Sequence, residues 1–171
     1  MSEKSDTQRF AIFRAKDATA DVDSTIMELA PFSPTAAEGA KRVLEAGLDH
    51  GTVQKVLFQM PGFSLVYVWF KSEFPLPRHT HNCDCLYYIV GGSLRMGSEE
   101  LGRGDGFFVG KDVPYTYTPG AAGVEVLEFR ASNAFDIKLL ANNPLFWEGA
   151  VKTVLAQRSA WTQEQPPSGL Q

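Results

Sequence analysis

The chain has 171 residues, 44% of them hydrophobic and 21% charged, with a formal net charge of -4 at pH 7. That length and composition predict one globular domain large enough to bury its core without a disulfide or metal staple. The mild negative charge argues against the basic stripe of a general nucleic-acid binder and against attraction to an anionic membrane surface. The longest apolar stretch, residues 63–70, is far short of the ~20 residues that a bilayer span requires. The polar start Met1-Ser2-Glu3-Lys4-Ser5-Asp6 carries no apolar signal core. On extended chain, Cys83 and Cys85 point to opposite faces, so they are not expected to pair. Both readings predict a reducing, cytoplasmic setting.

In chain order, residues 1 to about 8 read as a loose tail and Ala11-Ile12-Phe13 as a short strand. Thr35-Ala36-Ala37-Glu38 has the form of a capping box, which predicts a helix over about 36–46. Val43 and Leu44 would form its apolar face, packed on the outside of the sheet, and Gly47 would end it. His50 follows as a surface turn residue.

From Val53 the pattern turns to strands: residues 53–60 and 63–71, joined at Pro61-Gly62, then 78–81, 85–90 and 94–96. Gly91-Gly92 reads as a turn, Gly97-Ser98-Glu99-Glu100 as another, and further strands fall at 107–109, 115–118 and 123–129. Tyr67 and Trp69 share a strand face and read as core. With no room for crossover helices, the sheets of this run should be antiparallel, in a sandwich or closed barrel. Residues 144–160 return to helical spacing, and the stretch from Gln163 reads as disordered. Gly104-x-Gly106 is too short for a phosphate loop and follows no strand-to-helix context, so no nucleotide site is expected there.

The chemistry concentrates at His79 and His81. Two residues apart on a strand, both imidazoles face one way and can enter one cavity, where imidazole is a common neutral metal ligand. Cys85, if inward with Tyr87 and Ile89, would add a soft thiolate. Asp84 would take its place if the strand began one residue later. Tyr115 and Tyr117 alternate with Thr116 and Thr118, so both phenols would face the cavity together, either as donors and proton carriers or as filling.

The spacing His79-x-His81, three residues, Cys85, six residues, Gly92 resembles the first motif of the cupins, and Gly104 through Tyr115 resembles the second. The resemblance covers about residues 53–130. It implies an all-β, antiparallel double-stranded β-helix (the jelly-roll cupin barrel) with short flanking helices, often paired as a homodimer. It also implies a site of three histidines and a glutamate. Cys85 stands where that glutamate belongs and Tyr115 where the third histidine belongs. The reading that follows is a metal-dependent oxygenase, lyase or isomerase acting on a small organic molecule. A divalent transition metal (zinc, iron or copper) would sit on His79, His81 and Cys85, with Tyr115 and Tyr117 as the catalytic groups. The alternative is a non-catalytic, metal-free small-molecule binder or sensor.

Overall fold

The computed structural model describes residues 10–20 and 25–169; the tail expected over residues 1 to about 8 lies outside the described residues. The elements are β1 (Thr19–Ala20), β2 (Met27–Leu29), α1 (Pro34–Ala46), β3 (Thr52–Met60), β4 (Phe63–Phe70), β5 (His79–Thr80), β6 (Cys85–Met96), β7 (Glu99–Gly102), β8 (Gly106–Val109), β9 (Thr118–Arg130), β10 (Phe135–Leu139) and α2 (Pro144–Trp161). Among the described residues, no helix is long and apolar enough to cross a membrane.

Strands β6 and β9 are long enough to serve two sheets. The first half of β6, residues 85–88, lies between β8 and the end of β9. Its second half, residues 93–96, pairs with β7 and, through Leu94 and Arg95, with the start of β9. The end of β9 also pairs with β4, and β4 with β3. His79 on β5 is bridged to Tyr115. Two antiparallel sheets that share bent strands in this order make a jelly roll. The sheets are not closed into a continuous barrel.

Gly91-Gly92 is not the turn expected from sequence. It lies inside β6, with register shifts on both sides of it, as the bulge that carries the strand from one sheet to the other. Gly92 has φ +70, and a Cβ there would stand 2.1 Å from the Gly123 carbonyl oxygen, so only glycine fits the crossing. The strand expected at 115–118 reduces to the bridge at Tyr115, and β9 runs unbroken from Thr118. The strand expected at 78–81 shortens to β5. The Pro61-Gly62 hairpin forms as expected, with Gly62 at φ +80.

The short sequence signals failed at the flanks. Residues 11–13 form no strand; a 3-10 turn and β1 follow instead. Strands β2 and β10, outside the 53–130 run expected to be antiparallel, pair in parallel, and β10 pairs with β5 on its other side. Helix α1 begins earlier than the Thr35 box. Ser33 is its N-cap, its hydroxyl accepting from the Ala36 amide, with Pro34 at the first position. Gly47 ends the helix in the left-handed conformation, as expected. Leu44 is exposed, and the buried face is Ala36, Gly39, Val43 and Ala46.

That face rests on α2, not on the sheet. A Cβ on Gly39 would lie 2.1 Å from the Trp147 ring, whose Nε1–H donates to the Ala141 carbonyl and cannot swing away without losing that bond. Gly39→Ala should therefore cost about 1–3 kcal/mol by overpacking. A urea midpoint unchanged from the parent would overturn that prediction.

Against the expected disorder from Gln163, the described part of the segment after α2 folds back onto the sheet. Ser168 donates its amide and hydroxyl to Glu125, which also accepts from the Tyr67 hydroxyl at 2.6 Å. Tyr67 and Trp69 lie on the outer face of β4, beneath that segment.

Candidate functional site

The interior face of the sheet is set by strand alternation. On β6 Cys85, Tyr87 and Ile89 are buried while Leu86 and Tyr88 are exposed. On β9 the matching positions are Val124, Val126, Glu128 and Arg130. Register joins them in rows. Ser64, Arg130 and Cys85 stand side by side across β4, β9 and β6, and Val66, Glu128 and Tyr87 form the next row. Directly opposite residues bring their side chains into contact range. An acid and a base are thus held inside an otherwise apolar sheet.

They neutralise each other. Arg130 Nη2 lies 2.7 Å from Glu128 Oε2, with both side chains almost fully buried. The guanidinium also lies over the Phe135 ring, 3.9 Å from its centroid. Burial is the largest single influence and works against the charge on Arg130, but Glu128 together with Tyr87 and Cys85 outweighs it and holds the guanidinium above its ordinary pKa. Its Nε and Nη1 are buried with no oxygen or nitrogen partner. The half-buried Cys83 thiol is hydrogen-bonded to the Arg130 side chain, which with the guanidinium charge offsets part of the thiol's rise from burial. A neutral thiol is only a weak acceptor for such donors.

His79 and His81 come together as expected, both buried, with ring centroids 5.1 Å apart and planes at 75°. His79 Nδ1 lies 2.7 Å from the Pro77 carbonyl oxygen, and His81 Nδ1 lies 2.5 Å from that of Asp136. A carbonyl can only accept, so each Nδ1 carries the proton and each Nε2 keeps its lone pair. Asn82 and Asp136 exchange amide-to-side-chain bonds at 2.9 and 3.0 Å, which fixes the His-x-His segment on β10. Burial pushes His79 down to about 4, helped by the neighbouring His81 and Arg130. Burial, then the Arg130 charge, pushes His81 down to about 4. Both rings are neutral at neutral pH.

The other sequence candidates divide. Cys85 faces inward, and burial with the nearby Glu128 charge pushes its thiol up to about 12, so it is a thiol and not a thiolate. Asp84 turns outward and accepts from the Lys111 amide at 2.7 Å. The Tyr115 ring lies 4.4 Å from that of His79, and its hydroxyl is hydrogen-bonded to the Tyr87 hydroxyl. Tyr117 does not share that position. It is wedged edge-on between Phe70 and Phe107 in the core. Burial raises all three phenols, so at neutral pH they donate hydrogen bonds and do not act as bases.

The donors present do not make the metal site that the resemblance implies. His79 and His81 offer two lone pairs, yet among the described residues no group of three His, Cys, Asp or Glu side chains is placed to hold an ion. A guanidinium stands beside the pair, and its charge opposes any added cation.

Glu128, Arg130 and Tyr87 were missed in the sequence. The available signal was alternation: Glu128 and Arg130 continue the face of Val124 and Val126, an unusual place for charge. A cavity of about 170 Å³ opens against His81, Glu128 and Arg130, with apolar walls that include Val66, Phe70 and Phe135.

No protein-family model and no curated protein matches the chain. Solved structures are similar to it. The polyketide cyclase RemF from Streptomyces resistomycificus aligns over 61% of this chain and 84% of its own at 18% identity, with a TM-score of 0.49. A protein with a cupin-like fold from Ralstonia eutropha aligns over 64% and 76% at 14% identity, TM-score 0.45. An RmlC-like cupin from Shewanella frigidimarina aligns over 47% and 76% at 21% identity, TM-score 0.43. The fold, read from its own strands, is an antiparallel jelly roll. Its interior carries the two histidines, an ion pair, phenols, the Cys85 thiol and the Ser64 hydroxyl.

Proposed function

We propose that this jelly roll binds a small organic molecule in the cavity against His81, Glu128 and Arg130, and that binding requires no metal. The observation that carries the reading is the buried Arg130 guanidinium of the cavity wall, two of whose nitrogens, Nε and Nη1, have no oxygen or nitrogen partner. Leaving such donors unmatched costs about 1–3 kcal/mol each, and a ligand with acceptor atoms would recover that cost. The neutral Nε2 of His81 is an acceptor, so the cavity offers both hydrogen-bonding senses within largely apolar walls. The apolar walls exclude water and fix the ligand's orientation.

The protein purified without chelator or added metal should contain well under one equivalent of zinc, iron or copper by elemental analysis. Small fragments should shift the His81 ring signals in its carbon–proton NMR spectrum saturably. A stoichiometric metal that disappears in both His79→Ala and His81→Ala would overturn the metal-free reading.

A further inference from the structure

We infer that the ligand is a small monocarboxylate with a short apolar body, its carboxylate held by the free edges of the Arg130 guanidinium. This rests on the cavity assigned above. Arg130 is 2% exposed, and its Nη2 is engaged by Glu128. Nε and Nη1 have no oxygen or nitrogen partner; the other polar group bonded to this side chain is the Cys83 thiol, a weak acceptor. A guanidinium commonly bridges two carboxylates, because its donors spread over separate edges of one plane. Bonds from a cation to an anionic oxygen are roughly twice as strong as neutral ones, which favours a carboxylate over an amide of the same shape.

The surroundings narrow the class further. Among the described residues, Arg130 is the only Lys or Arg lining the cavity, and Glu128 already offsets its charge. A phosphate dianion would therefore lack the cationic donors it needs, whereas a monoanion requires only the one guanidinium. The other walls are mainly apolar, Val66, Phe70 and Phe135 among them, with Gln54 as the one neutral polar side chain besides His81 among the described residues that line it; Ser64 stands beside Arg130 in register. The Ser64 hydroxyl beside Arg130 is also buried without a hydrogen-bond partner. A cavity of about 170 Å³ lies below the ~300 Å³ at which drug-sized ligands begin to fit, so the apolar body is short.

The test uses the full chain with sodium butyrate and butyramide as probes, following the Arg130 Nε–H signal and the His81 ring signals by NMR. Butyrate should move the Arg130 signal saturably and half-saturate at a concentration at least about tenfold below butyramide. Arg130→Lys, which keeps the charge beside Glu128 but loses the planar edges, should weaken butyrate by about tenfold or more. Equal binding of the two probes, or unweakened binding in Arg130→Lys, overturns the carboxylate class. If butyramide or other neutral fragments move His81 while butyrate leaves Arg130 unmoved, the carboxylate inference falls and the cavity assignment stands. If no probe moves either residue, both fall. Should Arg130→Lys fail to fold, the comparison of the two probes on the parent protein still decides.

Discussion

Lowering the pH from 7 toward 4 should strip this protein of several kcal/mol of stability. His79 and His81 are held neutral down to about 4, because burial disfavours their charged forms and Arg130 adds to that pressure. In the unfolded chain the same rings take up protons near pH 6.5. The unfolded state therefore binds more protons between those values. The stability conferred by the neutral rings is fully present above about 6.5 and is lost progressively as pH falls toward 4. Linkage sets the size at roughly 3 kcal/mol per ring, an upper figure for two rings that sense each other. Urea midpoints measured at intervals from pH 7.5 to 4.5 would show the loss. The His79→Gln, His81→Gln double variant should flatten most of the slope in that window. A parent protein with equal midpoints at pH 7 and pH 4.5 would refute the buried, neutral pair.

Arg130→Met should destabilise the fold by about 3–5 kcal/mol, the second large effect. It leaves Glu128 buried, charged and without its cation. The remaining interior neighbours cannot replace the lost charge, since the phenols of Tyr87 and Tyr115 and the Cys85 thiol are neutral. Adding Glu128→Leu to Arg130→Met should restore most of the loss, because a buried ion pair replaced by packed apolar groups is often neutral or stabilising. Denaturant unfolding of the four proteins in this cycle gives the coupling directly. A single Arg130→Met variant within about 1 kcal/mol of the parent would show that the pair is not sealed from water. These variants also separate roles: the doubly substituted protein should fold yet have no guanidinium to hold a ligand.

The strand rhythm was legible in the sequence because each signal was local. Residues 85–90 alternate apolar and exposed positions at period two, and the structure buries Cys85, Tyr87 and Ile89 accordingly. The Pro61-Gly62 turn and the Gly47 helix stop were readable for the same reason, since each depends on the conformational preference of one residue. The Gly91-Gly92 pair misled because a glycine signals backbone freedom without saying what uses it. Here the neighbouring strand does: the Gly123 carbonyl stands where a Cβ on Gly92 would be. The same limit applies to Ser33 and Thr35, where two hydroxyl residues compete to cap one helix and chain geometry selects the first.

The amino-acid sequence alone determined the pairing of His79 with His81 on one strand face, the inward aim of Cys85 and the antiparallel character of the main sheet. These follow from period-two geometry and turn chemistry, which act over a few residues. Only the tertiary structure decided that Arg130 and Glu128 stand in the rows of Cys85 and Tyr87, that β10 supplies the carbonyl fixing the His81 proton, and that Tyr117 belongs to the core. Those positions depend on register between strands more than thirty residues apart. No local preference encodes that register; it is set when the buried faces of distant strands are packed against one another.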